Sequence, residues 1–88
     1  MKKPRVLLAD DHQIVIEGLK SLLGSEFEVV GSVGDGRALV DQAAVLHPDV
    51  IVADISMPQL NGIQAARQMK KADKNIKIVF LTMHFVAT

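Results

Sequence analysis

Val6-Leu7-Leu8-Ala9-Asp10-Asp11, read with its counterpart Val50-Ile51-Val52-Ala53-Asp54, decides the fold of this 88-residue chain. Each stretch is a short apolar run closed by acid. An apolar run without alternation fits a strand buried on both faces, and such strands belong to parallel sheets sandwiched between helices. Carboxylates at the ends of two such strands would converge on one edge of the sheet. Packing does not need that arrangement, because neighbouring carboxylates repel and each prefers to stay hydrated. A divalent cation would resolve the conflict, and beside a hard cation a carboxylate can attack a phosphoryl group.

On either side of these runs, strand-like and helix-like segments alternate, the pattern of a βα-repeating fold. Arg5 to Ala9 is the first strand. Ile14, Ile16, Leu19, Leu22 and Leu23 recur at helical spacing, with Gly24 as a stop. Phe27 to Val33 is the second strand, and Gly34-Asp35-Gly36 reads as a turn into a helix through Ala38, Leu39, Val40, Ala43 and Leu46. His47-Pro48 ends that helix, since proline disfavours helix in the residue before it. Asp49 to Ala53 is the third strand, and a third helix carries Ile63, Ala66, Arg67, Met69 and Lys70 and ends at Asp73-Lys74-Asn75. Lys77 to Leu81 is the fourth strand. Right-handed crossovers would place every strand's carboxyl end on one edge, where open α/β sheets bind ligands.

Composition narrows the class. Ten basic and ten acidic residues balance, so no net field points to nucleic acid or an anionic membrane. The chain has no cysteine, which excludes a disulfide framework and a thiolate metal site and fits a reducing, cytoplasmic compartment. The apolar run after Met1-Lys2-Lys3 is too short for a signal peptide, and no segment is long enough to cross a membrane.

The acidic pair Asp10-Asp11, Asp54 with Ile55-Ser56-Met57-Pro58, Asn61-Gly62 before a helix, and Leu81-Thr82-Met83-His84 after a strand occur in order on the expected elements. In these motifs the chain resembles the receiver domain of a two-component response regulator, above all the NarL/FixJ (LuxR-type) subfamily. The resemblance implies a flavodoxin-like (CheY-like) α/β fold with helices on both faces of a parallel sheet, and residues 1–88 would form a partial receiver that stops after the fourth strand. In that fold the order 2-1-3-4-5 sets strands one and three side by side. Asp54 would be the phosphoacceptor for a sensor histidine kinase. Mg²⁺ would be held by Asp11 directly, by Asp10 through a metal-bound water, by Asp54 and by the backbone carbonyl of Ser56. Thr82 would offer its hydroxyl to a phosphoryl oxygen. The family's fifth-strand lysine has no counterpart here, and Phe85-Val86-Ala87-Thr88 departs from the usual polar continuation. The resemblance implies a signalling module rather than an enzyme, controlling a DNA-binding output domain not present here and making no direct nucleic-acid contact itself.

Competing readings exist for each residue. Asp10 or Asp11 alone would serve as a helix cap, and Asp10 with Gln13 has capping-box spacing. Asp54 alone would be an ordinary residue at the start of a loop; its place after an apolar run, paired with the acidic doublet, favours a site. His12, His47 and His84 read as solvated loop residues without a metal role. The basic stripe Arg67, Lys70, Lys71 and Lys74 reads as a solvated helix face. An aspartyl-phosphate phosphatase of the haloacid-dehalogenase type would need a D-x-D motif, which Asp10-Asp11-His12 lacks; an inert, self-associating structural fragment is the other alternative. Without a fifth strand, Ile78-Val79-Phe80-Leu81 would be an apolar sheet edge, and edges recruit other chains. A homodimer through that edge, or through an uncovered apolar face, is the expected assembly.

Overall fold

A computed structural model describes residues 2–55 and 62–81. The elements follow the order β1 (Arg5–Ala9), α1 (Gln13–Leu23), β2 (Glu28–Val33), α2 (Gly36–Leu46), β3 (Val50–Asp54), α3 (Gly62–Ala72) and β4 (Lys77–Leu81). The four strands form one parallel sheet in the order β2-β1-β3-β4. This is the expected alternation, with β1 and β3 as neighbours at the centre.

Successive side chains of a strand point to opposite faces, and the core divides accordingly. Val6 and Leu8 of β1 join Ile16 of α1 on one face, with Leu19, Leu23, Phe27, Val50 and Val52 packed around them. Leu7, Ala9, Ile51 and Ala53 face the other way, against Leu39 and Ala43 of α2 and Ala65 and Met69 of α3. Leu7, Leu8, Leu39 and Ile51 are fully enclosed, each contributing about 1.5–3 kcal/mol by burial.

Two residues expected in the apolar stripe of α1 lie outside it. Ile14 is 87% and Leu22 79% exposed. At 3.6 residues per turn they stand about 160° and about 120° around the axis from Ile16, so the helix cannot bury them while it buries Ile16 and packs the partly buried Leu19 and Leu23 against the sheet. The turn Gly34-Asp35-Gly36 also does more than reverse the chain. Asp35 is the N-cap of α2, its Oδ1 accepting the Ala38 N–H at 2.7 Å. At the other end of α2, His47 takes the left-handed conformation at φ 48°. The Arg5 guanidinium there donates to the Leu46 carbonyl at 2.6 Å, so the expected stop before Pro48 is reinforced by a cation at the negative end of the helix dipole.

Among the described residues β4 is a sheet edge, with Val79 50% and Phe80 38% exposed. Val79 stands in register with Val52, which assigns it to the α1 face. Lys77 pairs with Val50 at the amino end of the strands, the edge opposite the acidic residues.

Candidate functional site

Asp10 immediately follows β1, and its backbone N–H donates to the Val33 carbonyl at 2.9 Å, continuing the β1–β2 ladder by one bond. Asp54 is the last residue of β3 and stands in register with Leu81. Because β1 and β3 are adjacent and parallel, these two strand ends open at the same place. Both carboxylates are buried, each residue 4% exposed, whereas the Asp11 side chain keeps 39% of its surface.

The chain after Asp10 turns on that residue's own carboxylate. Asp10 Oδ1 accepts the backbone N–H of His12 at 2.8 Å, an Asx-type turn that leads into α1. It also meets His12 Nδ1 at 2.8 Å, and the same nitrogen lies 3.0 Å from Asp11 Oδ1. The N-cap of α1 is His12, with no side-chain cap bond, and Gln13 Nε2 donates to Glu17 instead. The capping box of Asp10 and Gln13 is therefore not formed. The hydrogen bond to Asp10, and next the charge of Asp11, hold the His12 imidazolium above the ordinary histidine value of 6.5, with a smaller push from Asp54.

Ligand atoms of Asp10, Asp11, His12 and Asp54 all lie within 4.8 Å of one another. Two ligands opposite each other on one divalent ion stand about 4–5 Å apart, so this spacing suits a shared cation. A second observation points the same way: Asp10 Oδ2 is buried and has no hydrogen-bond partner among the described residues. A carboxylate oxygen removed from water without a partner is costly unless a cation compensates it. The donor set of carboxylate oxygens suits Mg²⁺, which accepts few carboxylates and retains several waters.

The structure thus brings together the three aspartates read from sequence. Ser56 and Thr82, also expected at the site, lie outside the described residues, as do Met57, Pro58 and Asn61. His12 was expected in a solvated loop without a metal role, and the structure adds that it stands beside the acidic doublet as the N-cap of α1. Its ring is 62% exposed, yet its Nδ1 belongs to the cluster. The signal available in sequence was adjacency to the acidic doublet, since the Asx turn folds the residue after the doublet back onto it.

Comparison with known proteins decides the family: residues 6–87 match the response regulator receiver domain. The chain belongs to that family. This receiver is 38% identical over 84 residues to the transcriptional regulatory protein DegU of Brevibacillus brevis, an alignment covering 93% of the chain and 36% of DegU. It is 39% identical over 82 residues to the response regulator VraR of Staphylococcus saprophyticus, covering 91% of the chain and 39% of VraR. Among solved structures, a LuxR-family two-component response regulator from Aurantimonas superposes with a TM-score of 0.88 at 31% identity, over 96% of this chain and 61% of that one. The receiver spans less than two-fifths of the length of these two curated relatives. Its four-stranded 2-1-3-4 sheet is the CheY-like receiver arrangement. Receiver domains are generally non-enzymatic signalling modules, and the acidic pocket of Asp10, Asp11 and Asp54 is consistent with their Mg²⁺ site. Among the described residues, no helix is long and apolar enough to cross a membrane.

Proposed function

We propose that this receiver takes a phosphoryl group onto Asp54 from the phosphohistidine of a sensor histidine kinase, as the regulatory part of a DNA-binding response regulator. The observation that carries the reading is the convergence of Asp10, Asp11 and Asp54 at the ends of two adjacent strands, with an oxygen buried on Asp10 that has no partner among the described residues. One carboxylate oxygen of Asp54 attacks phosphorus, the phosphorus–nitrogen bond of the phosphohistidine breaks, and the imidazole leaves with the electron pair, giving an acyl phosphate. Asp10 and Asp11, with Asp54 and the backbone carbonyl of Ser56, would hold Mg²⁺. Bound Mg²⁺ supplies the charge neutralisation that lets an anionic carboxylate approach an anionic phosphoryl group. Burial fixes the Asp54 carboxylate at the strand end, and the Thr82 hydroxyl would donate to the new anion without adding charge. Similarity to the transcriptional regulatory protein DegU supports a transcriptional role for the parent of this receiver.

The test is incubation with acetyl phosphate and Mg²⁺ followed by intact-mass measurement. One phosphoryl group per chain is expected, absent in Asp54→Asn and retained in Asp41→Asn, an exposed helical control. Modification that persists in Asp54→Asn overturns the assignment, and steady release of phosphate over many turnovers favours a phosphatase.

A further inference from the structure

We infer that α2 and α3 enclose a second binding site, for a small uncharged aromatic molecule carrying one N–H donor, at the edge of the sheet opposite the acidic residues. Where the carboxyl ends of the two helices run side by side, a cavity of about 200 Å³ opens between them. Val40 and Ala43 of α2, Met69 of α3 and Ile76 give it an apolar wall, and that wall is continuous with the core, in which Ala43, Met69 and Ile76 are buried. An apolar cavity of about 150 Å³ already admits benzene, so this one has room for a somewhat larger ring system. The Met69 thioether adds a favourable contact with a ring edge. In a mostly apolar pocket a few fixed polar groups set orientation and specificity, and here they stand at one end. His47 closes α2 in the left-handed conformation, its carbonyl and that of Leu46 tied to Arg5. Asp73 follows α3, its Oδ1 accepting the Asn75 N–H at 3.0 Å. Both are held before any ligand arrives, which lowers the ordering cost of binding. The other Asp73 oxygen is the acceptor that selects an N–H donor, and its negative charge disfavours carboxylate and phosphate ligands.

The test adds indole to the whole 88-residue chain, which has no tryptophan or tyrosine, so that indole emission reports the ligand alone. A saturable blue shift is expected, with a dissociation constant of about 1 mM or tighter, together with movement of the Met69 methyl resonance. Ala72→Leu fills the cavity from an exposed helical position with a good helix former, and is expected to weaken indole by about tenfold or more. Asp73→Asn keeps an acceptor for the Asn75 N–H and turns the other oxygen into a donor. It is expected to weaken indole by about fivefold and to leave benzofuran, which lacks the N–H, unchanged. Absence of a saturable shift in the wild type, or indole bound as tightly by Ala72→Leu as by the wild type, overturns the site. Equal indole affinity in Asp73→Asn and the wild type overturns the choice of an N–H donor. Either failure leaves the phosphoacceptor reading standing, because the acidic pocket lies at the other edge of the sheet.

Discussion

Asp10 carries two roles on two oxygens. Oδ1 organises the entry to α1 by taking the His12 backbone and ring, while Oδ2 is buried with no partner among the described residues. Asp10→Asn keeps an acceptor for the His12 backbone and removes a buried negative charge, so the variant is expected to be more stable than wild type by about 1 kcal/mol without metal. Added Mg²⁺ reverses the order: at a hundredfold excess over its dissociation constant it should stabilise wild type by about 2.7 kcal/mol and the variant far less. Thermal unfolding with and without MgCl₂ measures both effects. The same substitution bears on His12. Its folded pKa is raised above 6.5, chiefly by the Asp10 hydrogen bond and then by the charge of Asp11. The charged imidazolium therefore favours the folded state below the unfolded value, and that contribution fades as pH rises through the folded one. Proton NMR of the metal-free chain should find the His12 midpoint above 6.5, and Asp10→Asn should lower it.

At the level of single elements, α2 rests on a cap that its sequence half conceals. Asp35 is flanked by glycines and reads as a turn residue, yet its carboxylate holds the Ala38 N–H. Asp35→Ala should cost about 1 kcal/mol, read as a lower urea midpoint with an unchanged slope. The strands were legible because unbroken apolar runs have few alternatives in so short a chain: β1 and β4 have the expected bounds, and β2 and β3 differ only at their ends. The three site aspartates were legible for the same reason, since a strand end locates its terminal residue on a known edge. Ile14 and Leu22 misled because both are apolar residues close to a true stripe, and only the phase of the helix against the sheet separates them from it. His12 was illegible for a different reason: its place depends on a side-chain hydrogen bond two residues back, which hydrophobic periodicity does not register.

For the whole molecule, asymmetry of the sheet matters most. β1 is covered on both faces, whereas β4, the sheet edge among the described residues, leaves Val79 and Phe80 exposed beside backbone groups that can pair with another strand. The 88-residue chain is expected to self-associate through this edge at high concentration, and Val79→Lys, which sets a charge on it, should shift sedimentation toward the monomer. A compact monomer at every concentration would count against the expectation. The parallel pairing of Val6 with Val50 has a further result. Asp10 and Asp11 are synthesised early and Asp54 only after α2 is complete, and parallel neighbours cannot meet through a tight hairpin. A chain still emerging from the ribosome therefore displays the doublet as two ordinary solvated acids. Only when β1 and β3 zip together do the separated carboxylates become one receptacle, so that the pocket itself reports that the centre of the sheet has formed.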